Sequence, residues 1–202
     1  MSFTLIVGII AGILGGYSSV PYVRAILNGK TKPHQFSWLV FFIMNGVTFL
    51  SQFLAGARKS DILYAIFFIG SGVILLLSLR YGVRDTSKWD RILLGLALVT
   101  ITAWIVTRNN SVAIWLTVCV DVIAETMLVL KIKHEPRYED PKAWIIASLA
   151  LMFTCLALLG QPISILYVRP VYGLLSDMLI VASIYYFKRS TTKINKVTPP
   201  KV

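Results

Sequence analysis

The chain has 202 residues, of which 56% are apolar and only 14% charged, with a mean hydropathy of +0.74. Soluble domains carry about a quarter charged residues, so an ordinary soluble enzyme and a secreted disulfide scaffold are excluded. Lys and Arg outnumber Asp and Glu by 20 to 9, but they fall between long apolar runs rather than in a surface stripe, which excludes nucleic acid and makes the lipid bilayer the partner.

A helix crosses the hydrocarbon core with about 20 apolar residues. In chain order the runs are Phe3–Leu27, Phe36–Ala57, Asp61–Arg80, Asp90–Thr107, Ser111–Ile132, Lys142–Gly160 and Ile163–Phe187. The N-terminus has no basic region ahead of its first apolar run, so that run is expected to be a spanning helix rather than a cleaved leader. The segments between runs hold the Gly, Pro, Asn and charged residues of connections. The expected fold is all-α, a polytopic membrane protein with seven transmembrane helices, the fourth being the weakest. Lys188 to Lys201, with Pro199 and Pro200, reads as a disordered basic tail that rests on anionic headgroups.

Basic residues set the orientation. With the N-terminus outside, Arg24, Lys30, Lys32, Arg80, Arg84, Lys88, Arg91, Lys131, Lys133, Arg137, Lys142, Lys188, Arg189, Lys193, Lys196 and Lys201 all face the cytoplasm, 16 of the 20. Arg58, Lys59, Arg108 and Arg169 lie on the other side, Arg169 being expected to snorkel to the outer surface. That asymmetry predicts N-out, C-in.

The two halves share a layout. Val20-Pro21-Tyr22-Val23-Arg24 ends the first helix, a loop with Lys30, Lys32 and Pro33 follows, and Ser37-Trp38 opens the second. Glu125 to Lys131 ends the fifth helix, Lys133, Pro136, Arg137 and Pro141 fill the next loop, and Ala143-Trp144 opens the sixth. An odd helix between them makes the two three-helix units parallel, a 3+1+3 arrangement. The units run over residues 1–82 and 111–189, with a loop and linker helix over 83–110 and the basic tail over 190–202.

This layout, the N-out topology, the length, and Pro21-Tyr22 followed by Lys30–Trp38 resemble the SWEET/PQ-loop transporter superfamily. Nicotinamide riboside transporters, which share the 3+1+3 fold, are similar in layout. The resemblance implies a small polar solute as partner and alternating access as the mechanism. It does not imply sugar. Pro21-Tyr22 stands where the Pro-Gln dipeptide would be, the third span lacks the sugar-site asparagine, and the seventh carries Asp177.

Ionisable groups at membrane depth cost about 2.5–3.5 kcal/mol each to insert, so they are functional candidates. Asp121 and Asp177 lie near the middles of the fifth and seventh spans. Glu125 is one turn on from Asp121, about 6 Å along the same helix face, with Arg24 or Lys131 as competing partners. Asn45 and Tyr17 are set at similar depth on the second and first spans, Tyr17 facing Asp121 through the repeat. Together these five are the expected substrate-binding or proton-coupling set. Pro21 and Pro170 each remove a backbone hydrogen bond and are expected to hinge gates on opposite sides. Gly8, Gly12 and Gly16 form a small-xxx-small face that permits close helix approach.

Cys119 and Cys155 read as small buried hydrophobes, and His34 and His134 lie in polar loops, so neither a disulfide, a metal nor a cofactor is expected. No nucleophile–base set lies at depth, so the chain is not expected to be an enzyme. The last span has no lysine for a retinal Schiff base. The alternative class is a ligand-sensing or cargo receptor on the same fold. A bacterial inner membrane is the expected location, and a second copy of the chain is a candidate partner.

Overall fold

The computed structural model describes residues 3–29, 32–33, 35–57, 61–84, 87–134, 141–160 and 165–197. These residues form seven α-helices: α1 (Phe3–Leu27), α2 (Gln35–Leu54), α3 (Ile62–Tyr81), α4 (Lys88–Thr107), α5 (Asn110–His134), α6 (Pro141–Ala157) and α7 (Val168–Val197). A 3₁₀ turn, Ile165–Tyr167, leads into α7. Six of the helices are long and apolar enough to cross a membrane, so the chain is a multi-pass membrane protein. The short helix is α6, with 17 residues, rather than α4, which has 20. α7 continues as helix to Val197, so most of the expected disordered tail is helical, and 198–202 lie outside the described residues.

α1 lies against α3 and α6, α3 also against α2, and α7 against α6 and α5. α2 and α5 pack together, and α4 packs across both. Going round the bundle, the order is α1, α3, α2, α5, α7, α6, with α4 on the outside of the α2–α5 seam.

Small residues decide how close α1 and α3 come. A Cβ added at Gly12 would lie 2.7 Å from Ile66 Cδ1, and one at Gly15 would collide with Leu63. The expected small-residue face is therefore real at Gly12, with Gly15 as its neighbour in the contact. Ala11, Leu63, Ala150 and Leu151 make the apolar core shared by α1, α3 and α6. Val40, Met44, Ala97 and Val120 make the second, between α2, α4 and α5.

The helix ends are held by polar contacts. Ser87 and Asp90 form a reciprocal capping box that starts α4, satisfying two backbone donors. Gln35 N–H donates to the Val83 carbonyl and Val83 N–H to the Pro33 carbonyl, which pins the start of α2 to the end of α3. A side chain at Gly82 would strike the Pro33 and Ser78 carbonyl oxygens, so that junction requires glycine.

Pro21 lies inside α1, where it has no amide hydrogen to give the helix, on an exposed stretch of it. Two expectations are corrected by the packing. Pro170 is the third residue of α7, where the amide has no intrahelical partner to lose, so it removes no helical hydrogen bond. Cys119 is exposed on the bundle surface rather than buried, while Cys155 is half-buried, and both are free.

Candidate functional site

Four charged residues of the interior, Asp121, Glu125, Arg169 and Asp177, gather where α5 and α7 face each other, while Asp61 is buried separately at the start of α3. On α5, Asp121 and Glu125 are one turn apart and project the same way. On α7, Arg169, Tyr172 and Ser176 follow at intervals of three and four, which aligns them on one face, and Asp177 lies beside them. The Arg169 guanidinium forms an ion pair with the Asp121 carboxylate, with side chains only 11% and 17% exposed. The same guanidinium sits over the Tyr172 ring, 6.0 Å from its centroid. The Tyr172 hydroxyl donates a hydrogen bond to Glu125, and Ser176 hydrogen-bonds the same carboxylate. A continuous polar network therefore runs Asp121, Arg169, Tyr172, Glu125, Ser176.

Asp177 extends it. Its side chain is buried and feels the charges of Glu125, Arg169 and Asp121, and its Oδ2 has no hydrogen-bond partner among the described residues. Asp177 lies at the middle of the Ile165–Arg189 apolar stretch, and Asp121 near the middle of Asn110–Leu130. Three carboxyl groups thus share one guanidinium at membrane depth. Beside them a cavity of about 390 Å³ opens between the two helices, with Glu125, Tyr172 and Ser176 on its polar side and Val122, Val129, Leu175 and Leu179 among its apolar walls.

No family model, curated protein or solved structure matches the chain.

The structure brings Asp121, Glu125 and Asp177 together and leaves the other expected members apart. Tyr17 is 60% exposed, on a helix that packs against α3 and α6 rather than α5 or α7. The face of α1 that carries Tyr17 is therefore not the one expected. Asn45 is half-buried on α2. The first half of the chain contributes a different residue, Tyr64 of α3, which is buried and within electrostatic reach of both Arg169 and Asp121.

Arg169 is the main correction. Expected to snorkel outward, it is instead buried and ion-paired. The sequence does carry the signal, because an arginine that starts an apolar helix and is followed at +3 and +7 by Tyr172 and Ser176 marks a polar face rather than a helix end. Among the described residues Glu125 likewise takes its hydrogen bonds from Tyr172 and Ser176 rather than from Arg24, and the Lys131 side chain lies outside them.

Among the described residues no group of three or more His, Cys, Asp or Glu side chains is placed to hold a metal ion. What the site does offer is an arginine already matched to one carboxylate, two further carboxylates, and hydroxyls between them. Such a set can exchange a proton or hold a cationic or hydroxyl-bearing solute.

Proposed function

We propose that the chain is a membrane carrier that moves a small polar solute by alternating access, with proton exchange through Glu125 and Asp177. The observation that carries this reading is the buried network between α5 and α7. A charged cluster at the middle of apolar helices is costly to insert and has no purely structural need for three carboxyls and one guanidinium. The excess of carboxyls favours a solute that is cationic, or a neutral one that travels with protons. Hydroxyls on Tyr172 and Ser176 supply donors to its polar groups.

The packing order supports two parallel three-helix units. In each half the third helix lies between the first and second: α3 between α1 and α2, α7 between α5 and α6. The seams between the halves, α1 against α6 and α2 against α5, exchange with each other when α1, α2 and α3 are matched to α5, α6 and α7. α4 then links the units and packs outside the ring. This is the 3+1+3 layout of the SWEET/PQ-loop resemblance, and rocking of the units about those two seams would expose the interior to either side in turn. The charge asymmetry supports N-out and C-in, which places Arg169 toward the outside.

In that orientation the Asp121–Arg169 pair closes the interior from the outer side. A solute competing for either partner opens the pair, and Glu125 and Asp177 receive it one to two turns deeper. Return of the pair seals the outside before the inner side opens.

The test is uptake by purified protein in liposomes under an imposed pH gradient, across amines, amino acids, nucleosides, sugars and vitamins. One class should accumulate, and Asp177→Asn should abolish its pH-driven component while the protein stays folded and monodisperse. Accumulation of none of these classes, or an unchanged pH dependence in both Asp121→Asn and Asp177→Asn, would overturn the reading.

A further inference from the structure

The cavity beside the α5–α7 network opens toward the bilayer, and the change of exposure around its two helices shows how. Each residue advances about 100° around a helix axis. On α7 the residues of the cavity wall therefore follow one another sideways in the order Leu175, Leu179, Tyr172, Ser176, Ile180, over about 140°. Exposure falls along that order, from 63% at Leu175 and 61% at Leu179, through a half-buried Tyr172, to 8% at Ser176 and 0% at Ile180. On α5 the order from the inside is Glu125, Val129, Val122, Thr126, Leu130. Glu125 and Val129 are half-buried, whereas Val122 is 47% and Leu130 53% exposed.

Both helices thus turn from interior to outer surface across the same cavity. It is a cleft whose floor is Glu125, Ser176 and Ile180 and whose mouth is Val122, Leu130, Leu175 and Leu179. Residues 172–180 lie across the middle of the Ile165–Arg189 apolar stretch, so the mouth faces hydrocarbon.

The floor offers hydrogen-bond acceptors. Tyr172 and Ser176 give their hydroxyl hydrogens to Glu125, and the Thr126 hydroxyl donates to the Val122 carbonyl, 2.7 Å away. An ionised carboxylate has about four acceptor positions, so about two remain for a ligand. Among the described residues Glu125 is the one charged side chain on the cleft walls, Arg169 being committed to Asp121. A carboxylate, an ester or a quinone brings acceptors and meets no free donor here. An ammonium group brings both donors and the balancing charge.

The walls decide the rest of the ligand. A bare inorganic cation would occupy the floor and leave the apolar walls unmatched. The volume of about 390 Å³ lies in the range of pockets for organic ligands, about 300–1,000 Å³. A phospholipid headgroup is excluded by depth, since it stays at the membrane interface.

We propose that this cleft binds an amphipathic amine taken sideways from the bilayer, with its ammonium group on Glu125 and its apolar body between Val122 and Leu130 on one side and Leu175 and Leu179 on the other. Binding stands on the cleft alone. That this amine is the carried solute rests on the carrier reading above, and gives that solute an apolar body as well as a cationic head.

The test uses the full-length protein in lipid nanodiscs, its melting temperature followed against octylamine, ethylamine and octanoate, because a ligand bound only by the folded state raises it. Octylamine should give a saturating rise and octanoate none. The half-saturating concentration should fall by about fourfold for each methylene between ethylamine and octylamine, as the chain leaves water for apolar surroundings. Glu125→Gln, which removes the charge and keeps the shape, should raise the octylamine value by about tenfold or more. Leu175→Trp fills the mouth from the lipid side without touching a polar group, and should abolish the octylamine response. Equal responses to octylamine and octanoate would overturn the proposal, because any chain would then fill the cleft. A response that survives Leu175→Trp, or one independent of chain length, would overturn it by placing the amine elsewhere. So would a dimer that dissociates in Leu175→Trp, since a second copy would then cover the mouth. Octylamine binding by protein that accumulates no solute upholds the cleft and overturns the carrier reading; pH-driven uptake of ethylamine with no response to octylamine does the reverse.

Discussion

The α1–α3 and α5–α7 interfaces are built in opposite ways. α1 meets α3 through Gly12 and Gly15, with Ile62, Leu63 and Ile66 filling the space a side chain would take. α5 meets α7 through Asp121, Glu125, Arg169, Tyr172 and Ser176, and a cavity of about 390 Å³ lies alongside. In lipid there is little hydrophobic drive between helices, so close van der Waals contact and polar pairing are the two means of holding them together. The first interface uses close contact at Gly12 and Gly15. The second uses polar pairing, which holds the helices by groups that a solute or proton can also engage.

The largest effect should come from splitting the ion pair. Arg169→Ala leaves Asp121 buried without its partner and is expected to destabilise the protein by about 3–5 kcal/mol. Asp121→Ala in the same chain removes the stranded charge and should recover most of that loss. Unfolding free energies of the two single variants and the double variant, measured in mixed micelles, give the coupling between them. Additive losses would mean that the pair does not hold α5 to α7, and the contrast between the interfaces would fail on its polar side.

The contact side breaks through Gly15. A valine there places its Cβ against Leu63, which is fully buried and has no open space to move into. Overpacking of this kind costs about 1–3 kcal/mol, so Gly15→Val should lower the melting temperature and leave the uptake pH profile of the surviving folded protein unchanged. A pH profile that shifts with Gly15→Val would show that the two interfaces are mechanically coupled.

How much of this was legible in the sequence follows from what lipid does to sequence patterns. The apolar runs map onto helices closely, Phe3–Leu27 coinciding with α1, because length and apolarity are what a span needs. Asp121, Glu125 and Asp177 stood out for the same reason, since a charge at depth is costly wherever it points. Direction was not legible. A soluble helix shows its inward face by its apolar stripe, but a lipid-facing side is as apolar as a buried one. Tyr17 was therefore placed by depth and turned out exposed, while Arg169 was assigned to the surface and turned out buried. Asp61 was hidden for another reason. An aspartate just ahead of an apolar run is the usual sign of a helix cap, and only the structure shows that the cap is not made.

Tyr17 gives the smallest expected effect. It was expected at the depth of the acids but lies on the exposed face of α1, where loss of its hydroxyl removes no buried contact. Tyr17→Phe should change stability by less than about 0.5 kcal/mol and leave uptake and its pH dependence unaltered. The same substitution at Tyr172 removes the donor to Glu125 and should lower stability and alter both uptake and its pH dependence. If Tyr17→Phe lowered uptake as far as Tyr172→Phe, the α1 face would belong to the site, and the solute would have to be held between the halves rather than between α5 and α7. Equal depth with unequal effect is what a site built on one helix pair requires.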